Sequence, residues 1–213
     1  IKSISEDSKK HLNLSTLRNV LVGAEPIRKN TLEKFYHSFS CCGFSRSAFK
    51  PCYGLAESTL MVSGITYDKT LKYLSISREM FHHNQVRPST LNIGTTLSLI
   101  SCGSVIPNHR VKIINPKTKA LCPPNTVGEV CILGPSISPG YWRKNKSASF
   151  LQLTIKASDG EFFRTGDLGF LNDNELYICG RLKDIIIIRG RNYYPHDLET
   201  TIESNLFSPR KRS

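Results

Sequence analysis

Apolar positions in this chain come in short runs with two spacings, one helical and one extended. Residues 17–22 form an apolar run that ends at Gly23 and predicts a short buried strand. Pro26 suits the first turn of a following helix, where its missing N–H is not needed. Ile27, Leu32, Phe35 and Phe39 recur at helical spacing and give that helix an apolar face, and Cys42-Gly43 ends it. A second short strand is expected before Pro51, then a turn at Tyr53-Gly54 and a helical start near Ala56. Strand–loop–helix succession of this kind belongs to an α/β fold.

The texture then changes. Residues 65–100 mix Thr, Ser, Lys and His with short apolar pieces and read as an irregular insertion, placed at about 66–97. From Arg110 onward the chain is strand-rich. Residues 111–114 lead into a turn at Asn115-Pro116, residues 128–133 make another strand, and 170–171 and 176–178 flank Asn172-Asp-Asn174, a hairpin signal. Residues 184–188 are one more strand, after which Pro195 and Asp197 open a helix to about Leu206. No internal repeat is visible.

Composition narrows the class. At 39% hydrophobic and 22% charged residues the chain is globular, and 213 residues allow one domain, or most of one with part of a second. Its longest apolar stretches fall short of the roughly 20 residues that span a bilayer, and no basic-then-apolar signal segment opens it. It opens on Ile1, which is read as an internal piece of a gene product.

The net charge is +12, divided as +5, +1, +6 and zero over residues 1–50, 51–100, 101–150 and 151–213. A nucleic-acid groove calls for a concentrated basic stripe, so no nucleic-acid partner is expected. Lys and Arg facing a polyanionic small molecule suit the charge equally. The seven cysteines form no C-x-x-C pair and lie at no zinc-finger spacing from a histidine. They read as reduced thiols of a cytoplasmic protein, and His82-His83 as a solvated pair.

Three Gly-rich loops each hold a carboxylate: Gly23-Ala-Glu-Pro26, Tyr53-Gly-Leu-Ala-Glu-Ser58 and Arg164-Thr-Gly-Asp-Leu-Gly169. Glycine lets backbone approach a flat or phosphorylated ligand closely. A carboxylate can coordinate magnesium or accept both hydroxyls of a ribose. Each loop alone is compatible with an ordinary turn; their order carries the signal.

In that order, and with Gly128-Glu-Val130, Gly134-Pro-Ser136, Gly140-Tyr-Trp142 and Gly180-Arg-Leu-Lys-Asp184, the chain resembles the adenylate-forming superfamily from about residue 14 to 203. Within it the wording is most similar to the fatty acyl-AMP ligases, with Ala56 where acyl-CoA synthetases usually carry Thr. The resemblance implies an α/β adenylate-forming fold. Residues 1–182 would be the later part of a large domain with its β-rich subdomain, and 183–213 the hinge and truncated start of a small one. It implies activation of a fatty acid with ATP and Mg2+ to acyl-AMP. The acceptor would be an acyl carrier protein or a polyketide or peptide synthase domain. An acyl-CoA synthetase fragment and an inactive nucleotide-binding or basic nucleic-acid-binding module are the alternatives.

By the same resemblance Gly23, Ala24, Glu25 and Pro26 would line one face of adenine, and Tyr53 would stack on the other beside Gly54. Glu57 would be a catalytic residue and magnesium ligand. Asp167 would take the ribose hydroxyls, Arg181 the sugar or phosphate, and the catalytic Lys183 would mark the hinge. The family's phosphate loop, expected before Gly23, and its C-terminal catalytic Lys, expected well after Glu203, are not in the 213 residues, so the piece alone is expected to be inactive. The insertion is expected to restrain the small domain, with Leu71, Tyr73, Leu74, Ile76, Met80 and Phe81 docking and Lys69, Lys72, Arg78 and Arg87 facing solvent or that domain.

Overall fold

The computed structural model describes residues 4–89, 95–140, 154–195, 198–199 and 202. In chain order, helix α1 (Glu6–Lys10) precedes strand β1 (Val20–Val22), helix α2 (Lys29–Phe39) and strand β2 (Phe49–Tyr53). Next come β3 (Ser63–Gly64), β4 (Tyr73–Ser77), α3 (Arg78–His82) and β5 (Thr96–Ile100). The strand-rich half holds β6 (Ser104–Val105), β7 (Arg110–Ile114), β8 (Gly128–Leu133), β9 (Thr154–Ala157), β10 (Gly160–Asn172) and β11 (Glu175–Arg181). A two-stranded ribbon of β12 (Ile186–Ile188) and β13 (Arg191–Tyr193) completes the order. Among the described residues no helix is long and apolar enough to cross a membrane.

One sheet organises most of this, in the order β1-β2-β3-β6-β11-β10-β8-β7, with β9 added on β10. Only β1 and β2 run parallel, with α2 as the crossover between them; the other ladders of this sheet are antiparallel. Alternation along β10 and β11 splits the core between two faces. Leu168, Phe170, Tyr177 and Cys179 pack on one side. Leu176 packs on the other with Tyr53, Val62 and Val130. The β10–β11 hairpin turns at Asp173 and Asn174, both at positive φ, the tight turn expected from Asn172-Asp-Asn174.

Helix α2 buries Leu32 and Phe39, and Phe35 sits 5.1 Å from the Phe44 ring and 5.8 Å from Phe49. The helix begins later than the pattern predicts. Its N-cap is Arg28 in extended backbone, and Ala24 at φ 68° has already turned the chain. Pro26 and Ile27 therefore lie in the connection rather than in the first helical turn. Gly43, left-handed at φ 83°, ends the helical stretch as expected.

The segment read as irregular is ordered where it is described. β4 and β5 pair antiparallel from Tyr73↔Ile100 to Ser77↔Thr96, and the Ser77 side chain caps α3 by accepting from the Met80 amide. Ile76 and Phe81 are fully buried, and Phe81 stacks against Tyr194 with ring centroids 4.4 Å apart. Val86, Leu97 and Leu99 complete this wall of the core. Lys69, Lys72 and Arg87 are exposed as predicted, although Lys72 reaches the buried Glu175 at 2.7 Å and Arg78 is half-buried. Two further expectations shift. Residues 182–184 form a short 3-10 turn, so the strand predicted from 184 starts at Ile186. The C-terminal helix starts at Pro195, but most of it lies outside the described residues.

Because Phe81 is 1% exposed within an aromatic cluster, Phe81→Ala should lower unfolding free energy by about 3–5 kcal/mol. Tyr67→Ala, at a residue 87% exposed, should stay within about 0.5 kcal/mol. Urea denaturation compares the two, and equal midpoints would show that α3 is not part of the core.

Candidate functional site

The three carboxylate-bearing segments meet at one cleft of about 350 Å3. Parallel pairing of Val22 with Pro51 brings the end of β1 beside the end of β2, so residues 23–26 and 52–54 face a common space. Ala24, Glu25, Pro26, Tyr53, Gly54, Glu57, Asp167 and Arg181 line it. Gly23 borders an adjoining hollow with Gly180 and Arg181, and Lys183, exposed in the turn after β11, borders another with Glu57, Asp167 and Arg181. Of the residues given nucleotide, metal or catalytic roles from sequence, only Gly23 and Lys183 lie beside the cleft rather than in its wall. Gly54 is required by space as well as by any ligand: a Cβ there would lie 1.6 Å from the Leu60 carbonyl oxygen.

Asp167 is presented differently from the prediction. Residues 164–169 are not a loop but a bulged stretch within β10, which loses register with β8 between Arg164 and Leu168. A buried carboxylate shapes the bulge. Glu129, 2% exposed, accepts from Arg164 Nε at 3.0 Å and Nη2 at 2.7 Å through one oxygen. Its other oxygen accepts from the Gly166 amide at 3.3 Å. Thr165 Oγ1 donates to the Val130 carbonyl at 2.8 Å and accepts from the Asp167 amide at 3.0 Å. Both oxygens of Glu129 and the Thr165 hydroxyl are thus spent on fixing where Asp167 points.

The Asp167 carboxylate then meets two donors. Tyr53 Oη donates to Oδ2 at 2.7 Å, and Arg181 Nε lies 3.4 Å from Oδ1, on the residue directly opposite Asp167 in the β10–β11 register. Burial pushes the Asp167 carboxyl above the usual aspartate range, against the Tyr53 hydrogen bond and the Arg181 charge, and the negative charge of Glu57 adds to the rise. Burial, with Asp167 alongside, drives the Tyr53 phenol far up, so it remains a donor.

Sequence reasoning passes over two features. Gly128-Glu-Val130 stands out as a motif but gives Glu129 no role; its only local signal is a lone acid in an apolar strand. Three thiols also share the cleft wall: Cys52, Cys102 and Cys179. Burial raises all three, Cys102 to about 12. All seven cysteines are free. Among the described residues no three His, Cys, Asp or Glu side chains gather as a metal cage. The half-buried Glu57 alone still fits magnesium, which is usually held by one or two carboxylates with substrate phosphates and water.

A family described as AMP-binding enzyme matches residues 2–142. The chain is 40% identical over 210 residues to the medium-chain-fatty-acid–[acyl-carrier-protein] ligase JamA of Moorena producens, covering 96% of this chain and 35% of that protein. A solved structure from a study of fatty acyl-adenylate ligases of E. coli and L. pneumophila superposes with a TM-score of 0.85 at 33% identity, covering 100% of this chain and 37% of that one. The fatty acyl-adenylate ligase of L. pneumophila in complex with acyl adenylate and pyrophosphate superposes with a TM-score of 0.78 at 41% identity, covering 98% and 36%. The chain thus spans about a third of the length of the proteins it matches.

Removing the carboxylate that shapes the bulge leaves Arg164 without its partner. Glu129→Ala should cost about 3 kcal/mol of stability, read as a lowered denaturation midpoint. A midpoint equal to wild type would show that the pair does not hold the bulge.

Proposed function

Because the chain belongs to the AMP-binding enzyme family, we propose that its cleft holds the nucleotide side of an acid-activating reaction in which a fatty acid and ATP give acyl-AMP and pyrophosphate. The observation that carries this reading is the Asp167 carboxylate, fixed from below by Glu129 and flanked by Tyr53 and Arg181. An ionised carboxylate offers about four acceptor positions. Tyr53 and Arg181 occupy two, which leaves two for the vicinal hydroxyls of a ribose.

We assign the remaining roles by position. Residues 23–26 and the Tyr53 ring form the walls for adenine, with Gly54 allowing close backbone approach. Arg181 balances Asp167 and reaches toward the sugar or phosphate. A fatty-acid carboxylate oxygen attacks the α-phosphorus of ATP, the bond to pyrophosphate breaks, and the mixed anhydride remains. The protein contributes positioning and charge stabilisation to such a step. Glu57 would hold magnesium, which when bound neutralises charge on the phosphates.

The ligases that the chain resembles support a carrier protein as the acceptor of the acyl group. We place the boundary of the large domain at residue 182 and the hinge at Lys183. The segment 66–97 restrains the residues beyond the hinge. Asn84 Oδ1 accepts from Asn192 Nδ2 at 3.1 Å and from Tyr194 Oη at 2.8 Å, and Phe81 covers the Tyr194 ring. These contacts favour adenylation with carrier transfer over the acyl-CoA synthetase reading.

Two measurements test the proposal. AMP titrated calorimetrically into residues 1–213 should bind, and Asp167→Ala should weaken it by at least about a hundredfold, as two charge-assisted hydrogen bonds are lost at about 1.5–3 kcal/mol each. Unchanged affinity at an unchanged melting temperature would remove Asp167 from the site. The 213 residues alone, without a phosphate loop, should show no fatty-acid-dependent ATP–pyrophosphate exchange, since each missing donor to developing charge costs about 2.7–4 kcal/mol. Robust exchange would refute this expectation.

A further inference from the structure

Behind Glu57 the backbone takes a conformation that a β-branched residue adopts rarely. Thr59 has φ 63° and ψ −61°, and the Leu60 amide donates across it to the Ser58 carbonyl at 2.6 Å. This is a three-residue γ-turn of the strained hand. Strain of this size persists only where the surroundings over-determine it. The turn matters because it sends the chain back on itself, laying the Leu60 carbonyl against Gly54 and returning the Val62 amide to the Tyr53 carbonyl at 2.8 Å. Glu57 stands on the segment so closed.

The surroundings that hold the turn come from the residues after β8. Thr59 Oγ1 donates to the Ser136 carbonyl at 3.0 Å, and the Ser138 amide donates to the Glu57 carbonyl at 2.7 Å. Ser58 Oγ, fully buried, is 2.9 Å from Ser136 Oγ, which is 2.6 Å from His109 Nε2. His109 Nδ1 in turn lies 3.0 Å from the Pro107 carbonyl. A carbonyl can only accept, so Nδ1 carries the hydrogen, and in the neutral ring Nε2 is left as acceptor. Ser136 therefore donates to His109, and its oxygen accepts from Ser58. The ring itself lies flat on Gly134, where a Cβ would come within 2.2 Å of His109 Cδ2. Every hydroxyl in the relay has one direction available, and the relay ends on the strained turn.

We propose that His109 is a positioning residue for Glu57, acting through Ser136 to hold the strained turn at Thr59 and so the carboxylate in front of it. The inference deepens the reading of Glu57 as the magnesium ligand and rests on it. A group that orients a metal-binding carboxylate without touching the metal typically changes metal affinity by about tenfold to a hundredfold when removed. His109→Phe keeps a flat ring over Gly134 but deletes both hydrogen bonds. His109→Gln can restore an acceptor at the position of Nε2.

The test uses residues 1–213 and two readouts. ATP affinity is measured with and without Mg2+, beside metal-free AMP affinity as a control for the nucleotide walls, and amide hydrogen exchange at Leu60 reports the turn. His109→Phe should lose about tenfold of the Mg2+-dependent gain in ATP affinity, leave AMP affinity unchanged and speed Leu60 exchange. His109→Gln should restore both. Glu57→Gln serves as the reference for the metal role. If Glu57→Gln abolishes the Mg2+ effect while His109→Phe keeps it, the proposal is overturned. If Glu57→Gln changes nothing, the reading of Glu57 fails, and the exchange data alone decide: protection retained in His109→Phe overturns the role of His109, and protection lost with rescue by His109→Gln upholds it. A fall in AMP affinity equal to the fall in the Mg2+ effect would mark His109 as a general structural residue and overturn the proposal as well.

Discussion

Glu129 is buried, charged and surrounded by strand, a placement that is costly unless each lone pair is used. The carboxylate satisfies itself by gripping the Arg164 guanidinium with one oxygen and the Gly166 amide with the other. That demand forces β10 out of register with its neighbour and turns the strand through Gly166 at φ 73°. The bulge in turn aims Asp167 across at Tyr53, which belongs to β2, separated from β10 by β3, β6 and β11 in the sheet order. One desolvated charge thus links the antiparallel part of the sheet to its parallel pair, and the cleft lies where the two parts are joined.

Much of the cleft is legible in the sequence because its residues sit on short motifs whose order is informative even when each motif alone is not. Residues 24–26, the Tyr53-Gly54 turn and Asp167 with Arg181 line one cleft. Local geometry is where the reading fails. Residues 164–169 carry Thr, two Gly and Asp and look like a turn; only pairing with β8 and β11, invisible in a single window, makes them strand. Pro26 looks like a helix start because the left-handed kink at Ala24 has no sequence signature of its own.

The segment 66–97 is illegible for another reason. β4 and β5 are five residues each and α3 is five, so no window holds enough periods to register. Its apolar residues are ordinary core residues, but their partners Phe170, Tyr177 and Tyr194 lie far along the chain. His109 is equally silent. Its neighbours in sequence are turn and strand residues, while its partner Ser136 stands 27 positions away and Ser58 is reached only through Ser136.

The thiols of the cleft wall have a chemical consequence. An acyl-adenylate is a mixed anhydride, and a thiolate within reach would take its acyl group. Burial holds Cys102 near 12 and raises Cys52 and Cys179 as well. On the proposed reading, thiols that burial holds in the neutral form would compete poorly for an activated acyl group in this cleft, leaving it for an acceptor that brings its own nucleophile.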